Sequence, residues 1–485
     1  MINFSRLSGQ TFIVMGLARS GMATAEALHN SGVRVYAWDD NPQQRNTAKA
    51  KGITLRDPQN FKDTLDWANI DGLILTPGIP HRYPQPHPVA AAAQKAGVAI
   101  LCDIEMCAQA CPDVPTIGIT GSNGKSTTTA LLGHILKAAE KNVQVGGNLG
   151  QPVAEFSHPA DGQEDLHVLE LSSYQLERTP SLHCHIAILL NITPAHLERH
   201  GGMAGYIAAK RQIFQNQGTH QGRHDTAVIN IDTPNCWEVY NALMAEENQT
   251  GRHVCPFSTQ QQVSGGIYVE GQTLIDNLEN TAKPIINLKK TPNLQGDHNA
   301  QNAAAAYAAA RLMGVPPTTI ANSFMSFSGL AHRQEHLGQI NGISFVNDSK
   351  ATDVESAAKA LSYFSEIYWI LGGKLSQEEG PKNILAQTEE HWPNVRHAFV
   401  IGEAADAFEQ SLQGHIPTQN CGDLNQAIHT AWQQAMADNI KNPTILLSPA
   451  CASFDQFADF EARGDAMRDI VNTLKISCQA ESRHL

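Results

Sequence analysis

Short unbroken apolar runs recur along the chain, and longer stretches between them bring apolar residues back every three to four positions. Runs of the first kind suit strands buried on both faces, and stretches of the second kind suit helices that cover them. In the first segment an apolar run at 11–15 leads into a glycine-bearing turn, Gly16 to Gly21. A helical stretch at 22–30 and a second apolar run at 33–38 follow, so a βαβ unit is predicted. Residues 72–75 predict a strand that runs into Thr76-Pro77-Gly78, and 90–96 predict a helix. A second segment starts near Cys111-Pro112, with strands expected before Thr120, at 167–171 and at 186–191, and an alanine-rich helix at 300–312. Its polar part, 219–266, reads only as short strands and loops. The third segment, from about Gly329, predicts strands at 343–346, 367–371, 397–401 and 444–447. Helices are expected there at 354–362, 424–436 and 457–475. Alternation of this kind is that of open, mostly parallel sheets.

Composition narrows the classes. With 485 residues, 42% hydrophobic and 17% charged, the chain has ample core for about three domains. A net charge of −13, with lysines and arginines scattered, argues against nucleic acid as the main partner. Nine cysteines without a Cys-x-x-Cys pair read as reduced thiols of a cytosolic protein, and Cys102, Cys107 and Cys111 do not form a zinc pattern. The apolar run at 12–17 is short and breaks at Gly16, and no stretch approaches the ~20 apolar residues that span a bilayer. A cytoplasmic monomer with no membrane partner is expected.

The most informative run is Thr120-Gly121-Ser122-Asn123-Gly124-Lys125-Ser126-Thr127, between a strand and a helix. Gly121, Ser122, Asn123 and Gly124 would turn backbone N–H groups and a helix N-terminus toward an anion. Lys125 would reach terminal phosphates, and the Ser126 or Thr127 hydroxyl would ligate Mg²⁺. The strict phosphate-loop pattern has Gly six positions before the lysine, where this chain has Ile119. In the first segment Ala18 replaces the middle glycine of a dinucleotide fingerprint, while Asp39 keeps the ribose position. That reads as a holder of a nucleotide diphosphate, the alternatives being a redox cofactor or glycines that only make the turn. Glu170 ends a buried strand beside the phosphate loop, placed either to hold Mg²⁺ or to cap the next turn. His196 follows the strand at 186–191 and could face the same crevice. Lys210 reads by itself as a solvated helix lysine. Asn302, in the first turn of the alanine-rich helix, could point its amide at a base. Lys350, Lys374 and Ser453 follow three strand ends of the third segment and suggest a pocket for a carboxylate. Cys451 has no partner base nearby in sequence and is not read as a nucleophile.

Thr120 to Ser126, Glu170-Leu171-Ser172-Ser173, Asn191-Ile192-Thr193, Gly296-Asp297-His298-Asn299-Ala300-Gln301-Asn302 and Asn347-Asp348-Ser349-Lys350-Ala351-Thr352 together resemble the Mur ligase family, in order and spacing over nearly the whole chain. The resemblance implies ATP-dependent amide formation in peptidoglycan synthesis by three α/β domains. These would be a Rossmann-like UDP-binding domain at 1–111, a P-loop ATPase-like parallel-sheet domain at 112–329, and a Rossmann-like amino-acid domain at 330–485. Gly146-Gly147-Asn148-Leu149-Gly150, Asn347 to Thr352 and the run from Ser448 to Phe457 point, within the family, to addition of D-glutamate to UDP-N-acetylmuramoyl-L-alanine.

The roles implied follow residue by residue. Lys125, Ser126 and Thr127 would bind the ATP phosphates and Mg²⁺, and Glu170 would hold one Mg²⁺. His196 and a carbamylated Lys210 would hold a second ion, which reverses the solvated reading of Lys210. Asn302, Arg333 and Asp348 would contact ATP. Asn148, Ser172, Gln175 and His196 would meet the muramoyl-alanine part, and Ser20 and Asp39 the uridine part. Lys350, Thr352, Lys374, Ser453 and Phe454 would surround D-glutamate. The chain has Ala195-His196 where family members often carry Asp-His, and the loop after Gly373 varies among members. It lacks the Asp-Asn-Pro-Arg that marks relatives adding diaminopimelate or lysine. The family's route runs through an acyl phosphate and implies a swing of the third domain. The other readings are an ATPase or regulator without ligase chemistry, a redox enzyme, another amino-acid-adding ligase, or folylpolyglutamate synthetase.

Overall fold

The computed structural model describes residues 1–60, 67–148, 150–159, 165–220, 222–294, 296–375 and 384–481. Leu149 and Gln295, which stand in or beside the motifs above, lie outside the described residues. Packing divides the chain into two compact units, Met1–Phe327 and Ser328–Leu485.

The first unit holds two large sheets. One is wholly parallel: β1 (Thr11–Met15), β2 (Arg34–Trp38), β3 (Thr54–Leu55), β4 (Gly72–Leu75) and β5 (Ala99–Leu101), in the order β3-β2-β1-β4-β5. The chain winds to one side of β1 first and to the other side later. The crevice of such a sheet therefore opens beyond β1 and β4, where Gly16–Gly21 and Thr76–Gly78 lie.

The central sheet contains β6 (Thr116–Thr120), β7 (Asn142–Gly147), β8 (Asp165–Glu170) and β9 (Ile186–Leu189). A two-stranded hairpin, β10 (Thr219–His220) and β11 (Arg223–His224), stands apart from it. The sheet continues with β12 (Thr226–Asn230), β13 (His253–Ser258), β14 (Gly266–Glu270), β15 (Thr273–Asn277) and β16 (Lys283–Asn287). Its order is β16-β15-β14-β13-β12-β9-β6-β8-β7. All pairs are parallel except β14–β15 and β15–β16, so the expected parallel sheet carries an antiparallel edge. One buried apolar cluster joins Phe4 and Phe12 at the first sheet to Leu169, Leu171 and Phe214 at the central one.

The stretch 219–266, read from sequence as strands and loops, contains a 17-residue helix, Pro234–Thr250. Only Cys236, Val239 and Leu243 of it are buried, a stripe too narrow to stand out among polar residues.

The second unit has β17 (Glu335–Ile340), β18 (Ile343–Asn347), β19 (Ile367–Gly372), β20 (Val395–Ile401), β21 (Thr418–Gly422) and β22 (Thr444–Leu447), in the order β17-β18-β22-β19-β20-β21. β17 is antiparallel to β18 and the rest are parallel. The edge strands β17 and β21 bury almost none of their side chains and so lack the apolar run by which the central strands were foreseen. The closing helix runs Phe460–Glu481 instead of starting at 457. All of the nine cysteines but Cys421 and Cys478 are buried. Among the described residues no helix is long and apolar enough to cross a membrane.

Candidate active site

β6 lies between β9 and β8, so the phosphate loop, Glu170 and Asn191 all follow adjacent strand ends. Gly124 caps the helix Lys125–Ala138 at φ +83°, and a Cβ there would stand 2.1 Å from Asn302 Oδ1. Only glycine fits both demands. Asn191 ties the loop down: its carbonyl accepts from Ser122 N at 3.0 Å and its Oδ1 from Asn123 N at 2.8 Å. Its Nδ2 donates to Gln301 Oε1 at 2.7 Å. Ser122 Oγ donates to Thr193 O at 2.9 Å and meets Tyr206 OH at 3.0 Å. Lys125 Nζ donates to Gly121 O at 3.0 Å and to Ser122 O at 2.9 Å. Ser126 is buried and Thr127 half-buried at the helix start. Asn302 is buried under the loop, where its Oδ1 accepts from Thr128 Oγ1 at 3.3 Å. It therefore supports the loop from below.

Glu170 ends β8 beside Ile119. Its Oε1 accepts from Asn148 Nδ2 at 2.9 Å, while Oε2 is buried with no hydrogen-bond partner among the described residues. A buried carboxylate oxygen left bare is costly, and a hard divalent cation is the group that satisfies it. The residues present thus fit Mg²⁺.

Lys210 is not solvated. It is 1% exposed on the helix Met203–Arg211, and its Nζ donates to Gly121 O at 2.8 Å and to Thr120 Oγ1 at 3.4 Å. Burial first, and then the charge of Lys125, holds its pKa well below the ordinary lysine value. His196 is exposed, with φ +52° and its ring 5.4 Å from that of Tyr174. Partial burial, then Lys125, His200, Lys210 and Arg199, lower its pKa, so its imidazole stays neutral and keeps a lone pair for a ligand.

The groups expected to meet the UDP-linked substrate are more occupied. Asp39 accepts from Leu17 N at 2.5 Å and from Asn41 N at 2.8 Å, bracing the turn after β1. Ser20 is half-buried in the first turn of the helix Arg19–Asn30. Ser172 and Gln175 form a capping box, and Gln175 Nε2 donates to the buried Asp103 at 3.3 Å.

In the second unit, Asp348 follows β18 and is buried. It accepts from Gln334 N at 3.1 Å and from Ser448 Oγ at 3.0 Å, and burial raises its carboxyl to about 7. Arg333 is exposed. Lys350 lies with its Nζ 5.9 Å from the centre of the Phe460 ring, and Thr352 N donates to Lys350 O at 2.8 Å. Lys374 bridges to Ala452, Ser453 is buried, and Phe454 is 68% exposed. These positions follow β18, β19 and β22, which are adjacent.

Two arginines escaped the sequence reading. Arg463 is fully buried, and burial lowers its pKa to about 10. Its guanidinium donates to Ser349 Oγ and O at 3.0 and 2.9 Å, to Gly372 O at 3.3 Å and to Cys451 O at 3.0 Å. One side chain thus ties together the turns after β18, β19 and β22. Arg178, also buried, donates to Leu75 O at 2.6 Å and joins the turn after β8 to the end of β4. Most of the partners named here, at Ser349, Gly372 and Leu75, lie about a hundred residues away, which leaves no trace in a local pattern.

Residues 119–310 match the Mur ligase middle domain family. The chain is 48% identical to a UDP-N-acetylmuramoylalanine–D-glutamate ligase of Rhodospirillum rubrum, over 98% of this chain and 97% of that one. It is 46% identical to a protein of the same name from Paramagnetospirillum magneticum, over 97% and 98%. Its fold is similar to that of the UDP-N-acetylmuramate-alanine ligase of Thermotoga maritima, with a TM-score of 0.54, 16% identity, and coverage of 96% and 99%. A phosphate loop closed by Asn191 and backed by a carboxylate with one oxygen unpartnered among the described residues, together with near-full-length identity of this order, places the chain in the Mur ligase family.

Proposed function

We propose that this chain uses ATP to join the amine of D-glutamate to the alanyl carboxylate of UDP-N-acetylmuramoyl-L-alanine, releasing ADP and phosphate. The identity of 48% over 98% of the chain to a ligase of that name carries this reading. The phosphate loop beside Glu170 supports it.

A carboxylate resists attack by an amine, so the reaction first moves the γ-phosphoryl group of ATP onto the alanyl carboxylate. The amine, having lost a proton, then attacks the acyl phosphate, and phosphate leaves through a tetrahedral intermediate. The Gly124 N–H and the following helix N-terminus hold the phosphates, while Asn191 keeps the Ser122 and Asn123 N–H groups and so fixes the loop's shape. Lys125 exchanges the Gly121 and Ser122 carbonyls for the terminal phosphate oxygens. Bound Mg²⁺ supplies neutralisation of the charge on the transferring phosphoryl group. Ser126 and Glu170 Oε2 would hold one ion. His196 and Lys210 would hold a second, with Lys210 as its carbamate: CO₂ adds to the neutral amine, an N–C bond forms and one N–H proton leaves.

In the same reading Asn302, which also stands against Gly124, serves the nucleotide with Arg333 and Asp348. Ser20, Asp39, Asn148, Ser172 and Gln175 serve the UDP-linked acceptor. Lys350, Thr352, Lys374, Ser453 and Phe454 receive D-glutamate, with Arg463 fixing the turns that carry them. The working division is three domains with boundaries near 111 and 329, in a cytoplasmic monomer. The test is an amino-acid panel assayed for phosphate release with ATP and UDP-N-acetylmuramoyl-L-alanine. Release is expected with D-glutamate. Release with L-alanine, D-alanine or lysine in its place overturns the assignment.

A further inference from the structure

Away from the phosphate loop, the entries to two neighbouring strands gather imidazoles and a carboxylate. His183 and His185 flank the buried Cys184 just before β9, and Asp225 directly precedes β12. β9 and β12 pair in parallel with Ile186 opposite Thr226. Their entries therefore share one edge of the sheet, and the phosphate loop follows the opposite end of β6. One donor atom from each of His183, His185 and Asp225 lies within 4.8 Å of the others. His220, on β10, adds a third ring. Its Nε2 stands 3.5 Å from Asp225 Oδ2, the same oxygen that His183 Nε2 approaches at 2.8 Å. The rings of His183 and His220 are 4.1 Å apart, and those of His183 and His185 4.4 Å apart.

In a tetrahedral site with bonds of about 2.0–2.2 Å, neighbouring donor atoms lie about 3.3 Å apart. The two N···O separations fall on either side of that value. Burial opposes the Asp225 anion, yet hydrogen bonds from His183 and from Gly218 N hold its carboxyl below the usual range. His185 Nδ1 faces the Thr116 N–H at 3.3 Å, so that ring is already engaged. His183 is half-buried and His220 exposed, which leaves a path from solvent.

The geometry points to a second cation site, distinct from that of the ligase reaction, in which His183, His220 and Asp225 take a divalent transition ion such as Zn²⁺. Two nitrogens and one oxygen suit such an ion better than Mg²⁺, which prefers an all-oxygen shell. Bound there, the ion would fasten the β10–β11 hairpin to the entries of β9 and β12.

The test uses the full chain, freed of metal with a chelator and titrated with Zn²⁺ alone by calorimetry and by Co²⁺ absorption. One equivalent is expected to bind, with the tetrahedral Co²⁺ spectrum, and to raise the thermal transition. His183→Ala and His220→Ala should each weaken binding at least about tenfold. His253→Ala, outside the cluster, should not, and binding should persist in Glu170→Gln, which removes a ligand of the reaction's own cation. His220 is exposed, so its variant tests the idea without threatening the fold. Absence of Zn²⁺ binding, unchanged binding in the His183→Ala/His220→Ala double variant, or loss of binding in Glu170→Gln overturns the proposal.

Discussion

Lys125 and Lys210 share one acceptor: the carbonyl oxygen of Gly121 receives Lys125 Nζ at 3.0 Å and Lys210 Nζ at 2.8 Å. Two ammonium groups on one carbonyl repel, and the buried one yields first. The depressed pKa of Lys210 follows from its burial and from this neighbour. A lysine that gives up its proton easily is the one able to take up CO₂.

Lys210→Ala and Lys210→Arg are therefore expected to lose turnover by about 100-fold or more. Arginine fails because a guanidinium does not deprotonate. Wild-type activity should fall in CO₂-depleted buffer and return with bicarbonate. Full activity after depletion would remove the carbamate from the mechanism.

Glu170→Gln should raise the Mg²⁺ concentration for half-maximal activity by about tenfold or more, since it takes a charged ligand from the cation. Without metal the variant should not melt earlier than the wild type, because Oε2 has no hydrogen bond among the described residues to lose. An unchanged Mg²⁺ requirement would count against the assigned role.

Arg463→Ala leaves the carbonyls of Ser349, Gly372 and Cys451 without their common donor. A loss of about 3 kcal/mol in the stability of the second unit is expected, read from the denaturant transition. If the three turns carry the amino acid, a surviving variant should show a larger rise in KM for D-glutamate than for ATP. Arg463→Lys should recover part of both, because an ammonium reaches fewer of these acceptors at once.

Asp348 sets a pH dependence. Its carboxyl is raised from 3.8 to about 7 by burial, so the folded state favours the protonated form. The stabilisation this gives is complete below the unfolded value near 4 and is lost as pH rises toward 7. Asp348→Asn cannot ionise, so the difference in melting temperature, variant minus wild type, should grow from pH 4 to pH 7 and then level off. A difference independent of pH would show that folding does not shift the Asp348 carboxyl.

Much of this was legible in the chain itself. Unbroken apolar runs located β1, β6, β8, β9, β18, β19 and β22, because strands covered on both faces leave no polar alternation. The glycines and lysine of 121–125 marked the phosphate loop, because a tight turn into a helix needs those residue types in that order. The helix Pro234–Thr250 and the edge strands β17 and β21 were not legible, because each buries too few side chains to impose a period.

The sequence by itself determined the class of fold, the loop that cradles an anion, and the strand ends from which the chemistry had to come. Only the tertiary structure decided that Lys210 is buried against Gly121, that Glu170 keeps one oxygen bare, and that Arg463 binds three turns into one. The reason is physical. Backbone propensity and amphipathic period act over a few residues and are written locally. Burial, charge and hydrogen-bond satisfaction depend on neighbours that arrive from a hundred residues away.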